Sequence, residues 1–330
     1  MAILLDLVAV LGGFILLIKS ADRFITGSSA TASNLGVAPV IIGITIVGFG
    51  TSAPEMLVAA FAAAGGNPGM AVGNAVGSNI TNIALVLGGT AIMAPLAVGS
   101  RLLKREYPVL LFVTLVACIM LAYDKHLGRL EGVVFIIMLI VILFLLIRQA
   151  RTSPRKDPLA LEFEQEIPHD IAMRESLWLL GSGLVILLVS SKLLVWGAVN
   201  LAQYFGISDL IIGLTVIAIG TSLPELAASI ISVKKNEPDI AIGNIIGSNI
   251  FNTLGVLGIT GLIQPAPLDP EVLQRDLPVM ATLTLLLFIL GYGFTRKGHL
   301  TRVEGSILLV LFLAYEVILY LSVTNEKVFT

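Results

Sequence analysis

The chain has 330 residues, 56% of them hydrophobic and only 13% charged, with a formal net charge of −2 and a mean hydropathy of +0.97. Soluble domains carry about 25% charged residues, so a soluble globule is excluded and the chain reads as an integral membrane protein. The slight acidity gives no basic footprint for nucleic acid, and a single cysteine, Cys118, excludes an intrachain disulfide or a thiolate metal site.

Crossing about 30 Å of hydrocarbon takes about 20 mainly apolar residues as a helix. The apolar runs predict spans at about 3–19, 38–64, 70–97, 107–123, 132–147, 176–198, 209–233, 240–263, 277–294 and 305–323. They are uniformly apolar, without the alternation of a β-barrel strand. The first run has no charged segment before it and reads as a retained helix, not a signal peptide. The three histidines, His126, His169 and His299, fall in polar segments between spans. The expected fold is therefore all-α and integral to the membrane, with ten transmembrane helices. Residues 148–175 form the one extended polar stretch, a linker with Arg151, Arg155, Lys156, Asp157, Glu162, Glu164, Glu166 and three prolines. It is too short to fold as a domain, and solvation is the simplest account of its acidic patch.

The linker separates two halves that repeat. Gly50-Thr-Ser-Ala-Pro-Glu55 recurs as Gly220-Thr-Ser-Leu-Pro-Glu225, an offset of 170, and the segment from Gly73 to Asn82 recurs from Gly243 to Asn252 at the same offset. Gly27/Gly197, Gly36/Gly206, Arg105/Arg275 and Pro108/Pro278 keep it too. The expected organisation is residues 1–147 as the first five-helix repeat, 148–175 as a cytoplasmic linker and 176–330 as the second five-helix repeat. Five helices is an odd number, so the second copy enters the membrane from the opposite side, an inverted repeat. With both termini outside, the inner loops and linker hold fifteen Lys and Arg residues (among them Lys19, Arg23, Arg101, Lys234 and Arg302) against five outside, Lys125, Arg129, Lys192, Arg275 and Lys327. That bias follows the positive-inside rule.

Glu55 and Glu225 are the acids deepest in the predicted spans and are repeat equivalents. A charged side chain at mid-bilayer costs about 2.5–3.5 kcal/mol on insertion scales and usually serves function. Proline removes a backbone donor and clashes with the preceding turn, and glycine weakens a helix by about 1 kcal/mol against alanine. Gly48, Gly50 and Pro54, and likewise Gly220 and Pro224, should therefore break or kink the second and seventh helices. A proline kink re-satisfied by Ser and Thr would account for that much, but not for two acids. Freed carbonyls at that depth are tolerated where they line a cavity or bind an ion. Ser78 and Asn82 share a helix face, as do Ser248 and Asn252; alone they read equally as polar glue, with Gly73/Gly77 and Gly243/Gly247 as packing pairs. Together with Thr51, Ser52, Thr221 and Ser222 they offer only oxygen donors, which suit a hard cation such as Ca²⁺ with about 6–8 ligands and disfavour softer metals. Two glutamates balance one divalent ion or at least two Na⁺, a physical basis for antiport.

At these residues the sequence resembles the sodium/calcium exchanger branch of the cation/Ca²⁺ exchanger superfamily, in its short prokaryotic form. The doubled motifs look like that family's alpha-repeats, and the likeness covers nearly the whole chain. The resemblance implies Na⁺-driven Ca²⁺ exchange by alternating access, with Ca²⁺ and Na⁺ as transported partners, no cofactor and no enzymatic activity. It implies a monomer in the cytoplasmic membrane that extrudes Ca²⁺. It also implies that Glu55 and Glu225 share the Ca²⁺ site with Thr51 and Thr221. Ser52, Ser222, Ser78 and Ser248, with the carbonyls of Gly48 and Ala218, would serve Na⁺ sites, and Asn82 and Asn252 would line the centre. Helices 1 and 6, with Gly12, Gly13, Gly181 and Gly183, would slide as a gate. One departure stands out: many relatives carry Asp at one of the positions held here by Asn82 and Asn252, so the site charge stays at −2. The alternatives are an H⁺-coupled or K⁺-dependent Ca²⁺ antiporter on the same fold and, further off, a cation channel.

Some signals are set aside. Gly48-Phe-Gly50-Thr-Ser-Ala53 matches a dinucleotide fingerprint but lies within an apolar span. Glu316 and Lys192 could pair near the outer surface; Asp6 and Asp22 read as interfacial; Glu237 and Asp239 read as a dipole-stabilising pair at the start of helix 8.

Overall fold

The computed structural model describes residues 2–36, 42–66, 68–98, 103–152, 171–204, 218–292 and 298–329. The long helices are α1 (Ala2–Leu35), α2 (Gly43–Ala64), α3 (Pro68–Met93), α4 (Leu103–Asp124), α5 (Arg129–Thr152), α6 (Met173–Tyr204), α8 (Pro238–Ile263), α9 (Val272–Gly291) and α10 (Arg302–Phe329). Between α6 and α8, α7 is described as two pieces, Ala218–Thr221 and Leu223–Lys234. Nine helices among the described residues are long and apolar enough to cross a membrane. The start of the span predicted at 209–233, and linker residues 153–170 with Glu162, Glu164 and Glu166, lie outside the described residues.

The first helix corrects the sequence expectation. It does not stop near residue 19 but continues through Lys19, Asp22 and Arg23 to Leu35, 34 residues in all, about 51 Å at 1.5 Å per residue. The hydroxyls of Thr26, Ser28 and Thr31 donate to the carbonyls of Asp22, Phe24 and Gly27, four residues back. These polar side chains thus fold onto the helix instead of ending it. Gly36, at φ +63°, ends it in the left-handed conformation that glycine adopts freely.

Four short strands tie the loops together. β1 (Leu96–Val98) pairs antiparallel with β4 (Gly298–Leu300), and β2 (His126–Leu127) with β3 (Ala266–Pro267). The loop after α3 thus lies beside the loop before α10, and the loop after α4 beside the loop after α8. These bridges add a little strand to a fold expected to be purely helical.

Two apolar clusters hold the helices. The larger joins α2–α5 with α8–α10 through residues such as Ile83, Leu110, Phe135, Ile246, Leu254 and Leu287. The smaller, with Leu17, Phe24, Ile25, Val47, Leu187, Ala228 and Ile231, attaches α1 and α6 to that body. The helices α1 and α6 pack antiparallel along glycines. A Cβ on Gly27 would lie 2.3 Å from the Leu180 nitrogen, one on Gly183 2.6 Å from that of Phe24, and one on Gly13 3.0 Å from that of Leu194. Gly12 and Gly181 meet nothing within 4 Å, so of the four expected gate glycines two form this contact. Glycine allows such backbone approach between helices in lipid. Leu11, Phe14, Phe61, Phe144, Trp178 and Leu313 are exposed, an apolar exterior that suits hydrocarbon. The innermost helix is α8, buried along its whole apolar window.

Candidate functional site

Helices α2 and α7 carry the same motif but bend differently. In α2, Pro54 lies inside continuous helix, and the irregularity is a π-helical turn at Gly43–Val47; the helix is not interrupted. In α7 the helix stops at Thr221, Ser222 forms a turn (φ −89°, ψ 5°), and a new helix starts at Leu223 with Pro224 in its first turn. Proline is tolerated there because its missing N–H is one that a helix start leaves unbonded anyway. Helices α3 and α8 contain further π-helical turns, at Asn82–Leu87 and Phe251–Val256. Each falls at the motif's last asparagine, and such turns are frequent at functional sites.

The site gathers where α2, α7 and α8 meet. Glu55 and Glu225 are 1% and 0% exposed, and their carboxyl groups are neighbours. The Glu225 carboxylate faces the hydroxyls of Thr51, Ser52 and Ser248, yet none of the four carboxylate oxygens has a hydrogen bond. Thr51 and Ser248 lie 3.2 Å apart through their hydroxyls, and Ser248 donates to the Gly48 carbonyl at 3.4 Å. Gly48 sits so close to α8 that a Cβ would lie 3.0 Å from Gly247.

The structure thus brings Glu55, Glu225, Thr51, Ser52, Ser248 and Gly48 together from both halves. Ser78, Ser222, Asn82 and Asn252 are buried on α3, α7 and α8. The Ser222 hydroxyl and both amide side chains make no hydrogen bond. Thr221 is half-buried at the end of the first α7 piece, and Ala218 begins that piece. Unpartnered buried polar groups cost about 1–3 kcal/mol each, more when charged. Eight such oxygens lie on Glu55, Glu225, Ser52, Ser222, Asn82 and Asn252, and oxygen is the donor type that hard cations take. Among the described residues no three His, Cys, Asp or Glu side chains cluster, so the charge at this locus is that of the two glutamates.

Sequence reasoning passed over Asn74 and Asn244. Each donates from Nδ2 to the backbone carbonyl of its own half's glutamate, Glu55 and Glu225, at 3.3 Å in both cases. Their recurrence at the fixed offset of 170 was the available signal. Asn79 and Asn249 are also buried, and Asn79 donates to Thr253 at 2.7 Å.

Several peripheral expectations are corrected. Asp6 is buried, not interfacial, and accepts from Asn200 of α6 at 2.9 Å. Glu237 is the N-cap residue of α8, as its place in the sequence suggests, but its side chain makes no cap hydrogen bond; its carboxylate accepts from Ser29 of α1. Burial is the main reason its carboxyl is raised from an ordinary 4.5 to about 7. Asp22 pairs with Lys235 at 2.7 Å. Lys192 is exposed and forms no ion pair with Glu316, whose Oε2 is buried without a partner.

The profile of the sodium/calcium exchanger protein family matches residues 5–148 and 175–321. The chain is 50% identical over 314 residues to the putative antiporter CaxA of Alkalimonas amylolytica, covering 95% of this chain and 98% of that one. It is 41% identical over 310 residues to the inner membrane protein YrbG of Escherichia coli, covering 93% and 94%. A solved structure of the sodium-calcium exchanger NCX_Mj soaked with Na⁺ and Sr²⁺ superimposes with a TM-score of 0.81 at 32% identity, covering 94% of this chain and 98% of that one. With a family match over nearly all of both halves, the chain belongs to the sodium/calcium exchanger protein family and is a multi-pass membrane protein of the antiporter type.

Proposed function

We propose that this chain exchanges Na⁺ for Ca²⁺ by alternating access, extruding Ca²⁺ on Na⁺ influx. The observation that carries the reading is a pair of buried, unbonded carboxylates, Glu55 and Glu225, contributed by equivalent positions of the two halves. Their two charges balance one Ca²⁺, and at least two Na⁺ are needed to replace it. Neither state leaves the acids bare, and an exchange in which they empty exposes unpaired buried charge. Thr51 and Thr221 complete the Ca²⁺ ligands. Ser52, Ser78, Ser222 and Ser248, with the carbonyls of Gly48 and Ala218, serve Na⁺, and Asn82 and Asn252 line the centre as neutral ligands.

An inverted repeat of residues 1–147 and 176–330 about the linker is supported by pairs of contacts that interconvert when 170 is added to one partner and subtracted from the other. Gly13 against Leu194 becomes Gly183 against Phe24, and Gly27 against Leu180 becomes Gly197 against Val10. Within each half, the bond from Asn74 to Glu55 recurs as that from Asn244 to Glu225 when 170 is added to both partners. Equivalent helices α1 and α6 run antiparallel, as inverted halves require. The strand pairings fit a topology with both termini outside and the linker in the cytoplasm, because each joins loops expected on one side. The working unit in this reading is the monomer that the resemblance implies.

Flux into vesicles of the purified protein tests the reading. Ca²⁺ uptake should follow an outward Na⁺ gradient, persist without K⁺ and be unaffected by a protonophore. Uptake that needs a proton gradient or K⁺ instead would replace Na⁺-only coupling with one of those alternatives, and passive Ca²⁺ current without counterflow would indicate a channel.

A further inference from the structure

Asn244 touches both halves of the molecule at the site. It is fully buried on α8. Its Nδ2 donates to the Glu225 carbonyl and the Ser229 hydroxyl, each at 3.3 Å. A carbonyl can only accept, so this contact fixes which end of the amide faces which way. Oδ1 then faces Thr51 of the first half, whose hydroxyl donates to it at 3.0 Å. Without that donor a buried amide oxygen would lose its hydrogen bond, a loss proteins rarely accept.

The consequence falls on Thr51. Its hydroxyl has one hydrogen and two lone pairs, and the carbonyls of Val47 and Gly48 also lie within 3.1 and 3.4 Å. A hydroxyl that binds a cation must turn its hydrogen away and its lone pairs inward. We infer that Asn244 is a positioning residue: by holding the Thr51 hydrogen it presents that oxygen's lone pairs to the transported cation, beside Ser248 and the Glu225 carboxylate. The repeat-equivalent Asn74 is only half-buried, and among the described residues its side chain bonds the Glu55 carbonyl. Two residues identical in the motif therefore do unequal work. The inference rests on the proposal that this locus takes the cation.

A double-mutant cycle on Ca²⁺ affinity, read by titration calorimetry of the purified full chain, tests it. Asn244→Ala should weaken Ca²⁺ about 5- to 30-fold, a range typical of coupled neighbours, and Asn74→Ala less than threefold. In a Thr51→Ala background the added loss from Asn244→Ala should vanish. In vesicle flux Asn244→Ala should raise the KM for Ca²⁺ and leave the maximal rate, a split that loosened packing would not give. Should Asn244→Ala not fold, Asn244→Leu, close to it in size and without a side-chain oxygen to accept from Thr51, carries the same cycle. Unchanged affinity, or losses that multiply in the double variant, would overturn the inference. Glu225→Gln separates the two levels. If it abolishes Ca²⁺ binding while the Asn244 and Thr51 losses multiply, only the positioning role fails; if it leaves binding intact, the cation locus itself is wrong.

Discussion

The two ends of α1 are held in different ways. Towards its start, Gly13 packs on α6 in a contact that Gly183 and Phe24 reproduce at the equivalent place. Towards its end, α1 is tied to the turn between α7 and α8 by the ion pair of Asp22 with Lys235 and by the bond from Ser29 to Glu237. The residues 170 away from these four are Lys192, Gly65, Val199 and Asn67, a set that can form neither contact. The halves thus keep their likeness where helices touch backbone to backbone and around the paired glutamates. They differ where polar side chains close one end.

Variants can break or sharpen that contrast. The largest effect should come from the shared centre: Glu55→Gln or Glu225→Gln each removes half the counter-charge. Breaking a buried charge pairing costs about 3–5 kcal/mol, so Na⁺-driven Ca²⁺ flux should fall at least about a hundredfold in either variant while the folded, monodisperse protein is retained. Next comes the glycine seam. Gly27→Ala sets a methyl against the Leu180 backbone and should cost about 1–3 kcal/mol as overpacking, read as a lowered Tm in detergent. Gly12→Ala, with open space around it, should leave Tm unchanged or raise it.

Smaller still is the polar tie. Asp22→Ala removes a partly exposed ion pair and should cost less than about 1 kcal/mol, while Lys192→Ala, its counterpart, should cost nothing measurable. The carboxyl of Glu237 is raised in the folded state, from 4.5 to about 7, so the folded chain binds more protons than the unfolded one between those values. Its contribution is present below pH 4.5 and is lost as the pH rises through about 7. Glu237→Gln should flatten the fall in Tm across that interval; a slope equal to that of the unaltered protein would count against this tie.

Much of the architecture was legible because it is written in local pattern. Apolar runs mark the spans, and two motifs at one offset mark the halves and their two acids. The extent of α1 was hidden because Lys19, Asp22 and Arg23 interrupt the hydropathy, whereas the helix runs on past them with the hydroxyls of Thr26, Ser28 and Thr31 folded onto its own backbone. The break in α7 was expected from Gly220 and Pro224 but falls at Ser222, since a proline fits a helix start. Nothing in the structure explains why α2, with the same motif, stays continuous through Pro54. The bond from Ser29 to Glu237 and that from Asn200 to Asp6 join residues about 200 positions apart (208 and 194), and no periodicity reports such a meeting. Asn244 was visible in the motif, but its role follows only from which atoms its amide faces.

The central claim is that Glu55 and Glu225 together hold one Ca²⁺ in competition with Na⁺. Titration calorimetry of the purified chain at rising Na⁺ addresses it directly. One Ca²⁺ should bind per chain, with an apparent affinity that falls at least as the square of the Na⁺ concentration. Ca²⁺ affinity indifferent to Na⁺, or more than one tightly bound Ca²⁺ per chain, would contradict it.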